Sequence, residues 1–135
     1  MCARFPGSAC AMVTWVSMGT WATGGLVTVP YTTPTNMFFA NTSAEIIGVT
    51  GTKGKSTTSS LIYDILKEAG KPVCLAGNIG VPLLTTLLER QGKETIYVCE
   101  LSSYQLEQLQ YSPHISVVLN VFPEHMNHHG NVERY

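Results

Sequence analysis

A glycine-rich loop between a buried strand and a helix constrains this chain more than any other feature. An apolar run, EIIGVT over Glu45–Thr50, leads directly into GTKGKS over residues 51–56. A strand, a glycine loop and an amphipathic helix in this order bring backbone N–H groups and the positive helix end to one point. The segment therefore predicts a phosphate-binding loop (P-loop), although the generic pattern would place glycine at position 49, which is Val49.

The residues of this loop suit different parts of a bound nucleotide. Gly51 and Gly54 can adopt positive φ and bring backbone N–H groups close to phosphate oxygens. Lys55 can reach the outer phosphates, and the Ser56 hydroxyl can ligate Mg²⁺. A plain glycine-rich turn between strand and helix is the alternative. The order of strand, loop, Lys-Ser pair and helix favours a site for ATP and Mg²⁺.

Short apolar strands alternate with helical segments along the rest of the chain. The first helix is indicated by apolar residues at helical spacing, Leu61, Ile62, Ile65, Leu66 and Ala69, and by Gly70 as a stop. Further strands are predicted at residues 72–77, 94–100 and 115–120, and a second helix at residues 81–90. This alternation predicts an α/β fold with a mostly parallel sheet and helices on both faces. In such sheets ligands bind at the carboxyl ends of the strands.

Charge divides the chain near residue 44. No charged residue lies between Arg4 and Glu45. We expect residues 1–44 to be an uncharged leader, the remnant of a preceding structural unit, with one strand around residues 26–29. A signal peptide or a membrane span is the less favoured interpretation, because Thr, Ser and Gly interrupt every apolar run.

The amino-acid composition limits which binding partners and which cellular compartment we expect. A net charge of −1 gives no basic face for nucleic acid. The four cysteines, Cys2, Cys10, Cys74 and Cys99, form no C-x-x-C pair, and the last two lie in apolar runs typical of buried, reduced thiols. We expect a cytoplasmic protein with no membrane partner; the oligomeric state stays open.

The third and fourth predicted strands also end in polar residues. Glu100 closes an apolar strand, where it could hold the Mg²⁺ that Ser56 also contacts; a surface glutamate at the start of a helix is the alternative. His125 follows the fourth strand and is predicted to lie in the site. His128 and His129 are predicted to be solvated loop residues. Zinc is disfavoured because no cysteine pair accompanies them and their spacing matches no common structural site.

Four segments that follow one another in order carry a family resemblance. They are GVTGTKGKSTT at residues 48–58, GNIG at 77–80, ELSSYQLE at 100–107 and LNVFPEHMN at 119–127. Together they resemble the central ATP-binding domain of the Mur ligase family, whose loop reads G-T-x-G-K-[ST], so Val49 fits the family pattern. ELSSYQLE resembles the D-glutamate-adding branch in particular, and TPTNMFF resembles the family's approach to this domain.

The resemblance implies a role for each matching residue. The catalytic candidates are Lys55 and His125. Ser56 and Glu100 would hold a first Mg²⁺, with His125 near a second. The implied nucleotide contacts are Gly51, Thr52, Lys53, Gly54, Lys55 and Ser56, with Thr57 and Asn120 as weaker candidates. The residues implied to face a UDP-sugar-peptide substrate are Asn78, Ser103 and Gln105.

The resemblance also implies a reaction. ATP would phosphorylate the terminal carboxylate of UDP-N-acetylmuramoyl-L-alanine, and the amine of D-glutamate would attack the acyl phosphate during peptidoglycan precursor synthesis. Residues 45–135 would then be the N-terminal part of the ATP-binding domain. We expect a truncated fragment that does not complete turnover alone. The alternatives are a free-standing P-loop NTPase or phosphotransferase, and a non-catalytic module that pairs through its sheet edge.

Overall fold

The computed structural model describes residues 15–18, 27–30, 32–89 and 94–135. Strands β1 (Trp15–Met18) and β2 (Val27–Pro30) pair antiparallel as a two-stranded sheet, with Trp15 opposite Pro30. The strand predicted around residues 26–29 is thus confirmed over Val27–Pro30. The rest of the predicted leader up to residue 31 lies outside the described residues.

Helices and strands alternate along the remainder of the chain, as the sequence predicts. Their order is α1 (Pro34–Asn41), β3 (Glu45–Thr50), α2 (Lys55–Glu68), β4 (Val73–Gly77), α3 (Leu83–Leu88), β5 (Ile96–Glu100), α4 (Ser103–Glu107), β6 (Ile115–Val118) and α5 (Met126–His129). Each predicted strand and both predicted helices are present, some of them shorter than predicted. Arg90, at the end of the second predicted helix, lies outside the described residues.

Strands β3 to β6 form one sheet in the order β4-β5-β3-β6, and every neighbouring pair is parallel. The register aligns the carboxyl ends of the strands. Val49 lies opposite both Glu100 and Val117, and Gly77 lies opposite Glu100. The predicted α/β class with a parallel sheet is therefore confirmed. The loops that follow these strands begin along one edge of the sheet.

Helices α1 and α3 cover one face of the sheet. The Phe38 ring is fully buried and stands edge-on to Tyr97, with ring centroids 5.1 Å apart. Leu83 of α3 packs into the same cluster. Burying an aromatic or leucine side chain contributes roughly 1.5–3 kcal/mol, so this cluster anchors both helices to the sheet.

Helix α1 begins before the boundary that the charge pattern indicates near residue 44. The Thr33 hydroxyl caps its first turn by accepting a hydrogen bond from the Asn36 backbone N–H at 3.1 Å, and Pro34 occupies the first turn. Because Phe38 lies in the core, the uncharged segment contributes to the packed body. The absence of charge in this segment is therefore consistent with a buried helix as well as with a leader.

Helix α2 covers the opposite face, so helices lie on both faces as predicted. Ile62 and Leu66 pack against Val49 and the other buried side chains of that face. Leu61 and Ile65, which share the helical spacing, are instead 58% and 59% exposed, because only one stripe of the helix meets the sheet. Within the described residues, no helix has the length and apolar character needed to cross a membrane.

The prediction of buried thiols is confirmed for Cys74 and Cys99, whose side chains are both buried. Burial raises the pKa of the Cys99 thiol to about 12, and Cys74 acts in the same direction. Because the thiolate is the reactive form, iodoacetamide at pH 8 should leave Cys99 unmodified in the folded chain and alkylate it readily in guanidinium. Peptide mass mapping measures both. Equal modification of folded and denatured chains would contradict this burial.

Candidate functional site

The loop between β3 and α2, residues 51–54, is called the glycine loop below. Gly51 has φ of 138° and Gly54 has φ of 86°, a region that other residues rarely adopt. A Cβ at Gly51 would also come within 3.1 Å of the Asn120 backbone. Glycine at this position thus allows both the positive φ of the turn and the close approach of the chain that follows β6.

Helix α2 begins without a side-chain cap. Its N-cap residue is Gly54, which offers no side-chain acceptor to the first backbone N–H groups. Ser56 and Thr57 lie exposed in the first turn. Free N–H groups and the positive end of the helix dipole make this point of the fold suited to an anion.

The Lys55 side chain folds back over the glycine loop. Its ammonium donates to the carbonyl oxygen of Gly51 at 2.7 Å and to that of Thr52 at 3.0 Å. These bonds place the positive charge of Lys55 beside the loop, and both partners are neutral carbonyl groups. An anion entering the loop would meet the charge there, so the geometry fits the predicted role of Lys55.

Asn120 fixes the shape of the loop from the end of β6. Its side-chain oxygen accepts from the Lys53 backbone N–H, and its side-chain N–H donates to the Lys53 carbonyl, both at 2.9 Å. The Thr52 N–H donates to the Asn120 carbonyl at 3.0 Å. A nucleotide contact by Asn120 stays a prediction, but its amide already holds the loop in place.

Replacing Asn120 with alanine should lower the free energy of unfolding by about 1–2 kcal/mol, because two hydrogen bonds of about 1 kcal/mol each are lost. Amide hydrogen exchange at Lys53 should accelerate at the same time. The control is Asn41→Ala, which removes one exposed bond within α1 and should leave Lys53 exchange unchanged. Unaltered protection of Lys53 in Asn120→Ala would show that the amide does not hold the loop.

Thr52 ties the loop to two later segments. Its hydroxyl accepts from the Phe122 N–H at 2.9 Å and lies 2.9 Å from the Tyr135 hydroxyl. Thr52 is also buried, although the sequence pattern assigns it only backbone contacts. Sequence reasoning missed Tyr135, because its partner lies 83 residues away and no motif connects them.

Glu100 lies at the carboxyl end of β5 and is only 1% exposed, so the alternative of a surface glutamate is wrong. One carboxylate oxygen accepts from the Asn78 side chain at 2.9 Å. The other, Oε2, is buried and has no hydrogen-bond partner among the described residues. Leaving a buried acceptor unsatisfied costs about 1–3 kcal/mol, and a bound cation would remove that cost. The observed geometry therefore fits the predicted Mg²⁺ ligand, and it brings Asn78 to the same point.

Helix α4 begins directly after Glu100 with a capping box. The Ser102 N–H donates to the Gln105 side-chain oxygen at 2.9 Å, and the Gln105 N–H donates to the Ser102 hydroxyl at 3.4 Å. The side-chain oxygen of Gln105 is thereby engaged with its own helix. Its predicted substrate contact stays a prediction, as does that of Ser103 in the same turn.

The segment after β6 returns to α4 as the short helix α5. His125 stands at its N-cap, with φ of 54° and an exposed side chain whose ring centroid lies 5.1 Å from that of Tyr104. His125 thus lies against the helix that follows Glu100. Among the described residues, no cluster of three metal-ligating side chains includes His125, so its assignment to a second Mg²⁺ stays a prediction.

The prediction that His128 and His129 are solvated loop residues is wrong for His129; for His128 the solvation is confirmed and only the loop is wrong. Both lie in α5, and His129 is 4% exposed, with its Nε2 at 3.1 Å from the Ser103 hydroxyl. Packing of α5 against α4 buries it, which the local sequence does not reveal. His128 is exposed but pairs with Glu107 at 2.8 Å. The hydrogen bond from His128 is the main cause that lowers the pKa of the Glu107 carboxyl.

The parallel sheet with helices on both faces places this domain in the α/β class. Its glycine loop and its buried acid lie at adjacent strand ends. Residues 49–135 match the Mur ligase middle domain, and the chain belongs to that family. The resemblance noted from the sequence motifs is thereby confirmed.

Curated relatives agree with this assignment. The chain is 54% identical over 95 residues to "UDP-N-acetylmuramoylalanine--D-glutamate ligase" of Wolbachia pipientis wMel, covering 70% of this chain and 18% of the relative. It is 45% identical over 104 residues to the ligase of that name from Acetivibrio thermocellus, covering 77% and 22%. It is 46% identical over 107 residues to "UDP-N-acetylmuramoyl-L-alanine--L-glutamate ligase" of Salinispora tropica, covering 79% and 23%. The chain spans about a fifth of the length of these relatives.

Proposed function

We propose that this chain supplies the Mg²⁺·ATP-binding part of an amide-forming ligase. The enzyme would add D-glutamate to UDP-N-acetylmuramoyl-L-alanine during cytoplasmic peptidoglycan precursor synthesis. The observation that carries the proposal is the buried Oε2 of Glu100, at the strand end next to the glycine loop, which has no hydrogen-bond partner in the part of the chain that the structure describes. A structural carboxylate in a core would have both oxygens bonded. One left unpaired beside an anion-binding loop is what a bridging cation requires.

The glycine loop would act as a P-loop. The Gly54 N–H and the uncapped start of α2 would face the β- and γ-phosphates. The Thr52 and Lys53 N–H groups donate to Asn120 and would contact phosphate only by exchanging that partner. Lys55 would exchange its two carbonyl partners for phosphate oxygens. Thr57 and Asn120 would border the nucleotide, the latter chiefly by holding the loop.

Ser56 and Glu100 would hold the first Mg²⁺, whose charge offsets the repulsion between the substrate carboxylate and the γ-phosphate. Asn78 donates to one oxygen of Glu100, which would leave the other oxygen to bind the metal. His125 would stand near a second Mg²⁺. The backbone of His125 has a positive φ, a strained conformation that the surrounding fold must maintain. Such conformations are common at functional sites.

The reaction follows from the chemistry of a carboxylate, which does not react with an amine until it is activated. A substrate carboxylate oxygen attacks the γ-phosphorus, ADP leaves, and an acyl phosphate forms. The amine of glutamate then attacks the acyl carbon, and the tetrahedral intermediate releases phosphate and a proton. Lys55 stabilises negative charge on the transferred phosphoryl group, and Asn78, Ser103 and Gln105 would orient the UDP-sugar-peptide.

Two observations bear on the configuration of the glutamate: the ELSSYQLE segment and the names of the relatives. Relatives named for D-glutamate and for L-glutamate are similarly close to this chain, at 45–54% and 46% identity. Overall identity therefore does not select between the two configurations. We propose D-glutamate on the resemblance of residues 100–107.

Isothermal titration of the 135-residue chain with ATP and Mg²⁺ tests the proposal. We expect saturable binding with one ATP per chain, and no phosphate release in the absence of UDP-N-acetylmuramoyl-L-alanine. Absence of any binding to folded protein would overturn the proposal. Phosphate release without the UDP-sugar substrate would indicate a free-standing NTPase instead.

A further inference from the structure

Three side chains from two separate motifs bring metal-ligating atoms together outside the proposed ATP site. Glu107 ends α4, and His128 and His129 are adjacent residues of α5. One ligand atom from each lies within 4.8 Å of the other two. We propose that Glu107, His128 and His129 form a binding site for a divalent transition-metal ion such as Zn²⁺, built from residues that the proposed Mg²⁺ site does not use.

The donor set selects the kind of metal. Two imidazole nitrogens and one carboxylate oxygen suit Zn²⁺, Co²⁺ or Ni²⁺, whereas Mg²⁺ prefers oxygen ligands and retains its waters. Bonds of about 2.0–2.2 Å to a tetrahedral ion place the ligand atoms roughly 3.4 Å apart. The His128 Nε2 and Glu107 Oε2 atoms are closer than this, at 2.8 Å, and the ligand atom of His129 lies within 4.8 Å of both. Small rotations of the exposed Glu107 and His128 side chains would reach the required spacing.

Packing holds the two histidine rings near these positions before any metal binds. The His129 ring is buried, with its centroid 5.2 Å from that of Tyr135 and 5.6 Å from that of Tyr104. The His128 ring lies 4.6 Å from the same Tyr104 ring. Side chains fixed in this way lose little rotamer entropy when they bind a metal, which favours a site over a chance cluster.

An ion pair between Glu107 and His128 alone is the competing interpretation. It accounts for their 2.8 Å contact and leaves His129 as a separate buried ring whose Nε2 lies 3.1 Å from the Ser103 hydroxyl. A metal would use all three groups. It would also fasten α5 to α4, and His125 at the start of α5 would be held more firmly against Tyr104.

Titration with Co²⁺ tests the site in a chain that carries Cys2→Ser and Cys10→Ser, with excess Mg²⁺ and no nucleotide. We expect one Co²⁺ per chain, a visible d–d absorption band, and displacement by Zn²⁺. Loss of even an outer-shell partner typically weakens metal binding about 10- to 100-fold. Glu107→Gln and His128→Ala, which both change exposed side chains, should therefore each weaken binding at least about tenfold.

Matched controls are Glu133→Gln and His114→Gln, which change an exposed glutamate and an exposed histidine outside the cluster. Both should retain the affinity of the parent chain. The proposal is overturned if folded parent chain gives no d–d band, if Glu107→Gln and His128→Ala bind as tightly as the controls, or if a thiolate-to-cobalt charge-transfer band places the ion on cysteine. Because no ATP is present, these results do not depend on the proposed nucleotide site.

Discussion

Replacing Lys55 with alanine should weaken binding of Mg²⁺·ATP by about 10- to 100-fold, the largest effect on binding that we expect from any single substitution. A hydrogen bond to a charged group contributes about 1.5–3 kcal/mol, which corresponds to this range. The Lys55 ammonium lies over the glycine loop, where it donates to the carbonyl oxygens of Gly51 and Thr52. The substitution would remove the positive charge that phosphate oxygens would meet, and the loss of two partly buried hydrogen bonds should also lower the free energy of unfolding by about 1–2 kcal/mol.

The matched control for this prediction is Lys71→Ala. Lys71 is exposed and lies beyond the far end of α2, so the variant changes net charge by the same amount at a distance from the loop. Isothermal titration with ATP and Mg²⁺ gives both affinities, and circular dichroism confirms that each variant is folded. Equal affinities for Lys55→Ala and Lys71→Ala would exclude a direct phosphate contact by Lys55.

Replacing Gly77 with alanine should lower the free energy of unfolding by about 2–5 kcal/mol, the largest effect on stability that we expect. Gly77 has φ of 106°, where a side chain is strained, and its Cβ would overlap the carbonyl oxygen of Glu100. Strained backbone costs about 1–3 kcal/mol, and overpacking typically costs a similar amount. That carbonyl also accepts the Asn78 N–H at 3.0 Å, so the substitution would disturb the position of Glu100.

Gly70→Ala separates the two causes. Gly70 also has a positive φ, 71°, but its Cβ would meet no atom within 4 Å. We expect that variant to cost about 1–2 kcal/mol from backbone strain alone. Urea denaturation of both variants measures the difference. A cost for Gly77→Ala no greater than that for Gly70→Ala would contradict the close approach of β4 to Glu100.

The strands and the glycine loop could be predicted because their signals are local. Strand β3 has the predicted bounds, since an apolar run followed by glycines fixes both ends of a buried strand. The placement of Glu100 at a strand tip was equally local. Its burial was not, because burial depends on the helices that cover the sheet, and the surface alternative was open from sequence alone.

The remaining features depend on contacts between distant residues. The bond from Thr52 to Tyr135 and the pairing of Glu107 with His128 join segments that share no sequence pattern. His129 is buried because α5 packs on α4, whereas its local sequence is polar and typical of a loop. Helix α1 lies in an uncharged stretch, and an absence of charge predicts a buried helix and a separate leader equally well.

The Mg²⁺ dependence of ATP binding in Glu100→Gln tests the central claim most directly. Glutamine keeps the shape of Glu100 and can still accept the bond from Asn78, so the variant should fold normally. ATP is titrated with and without Mg²⁺ into the parent chain, into Glu100→Gln and into Glu68→Gln, an exposed control on α2. We predict that Mg²⁺ tightens ATP binding by the parent chain and the control but has little effect on Glu100→Gln. An equal Mg²⁺ effect in all three proteins would contradict a metal site at Glu100.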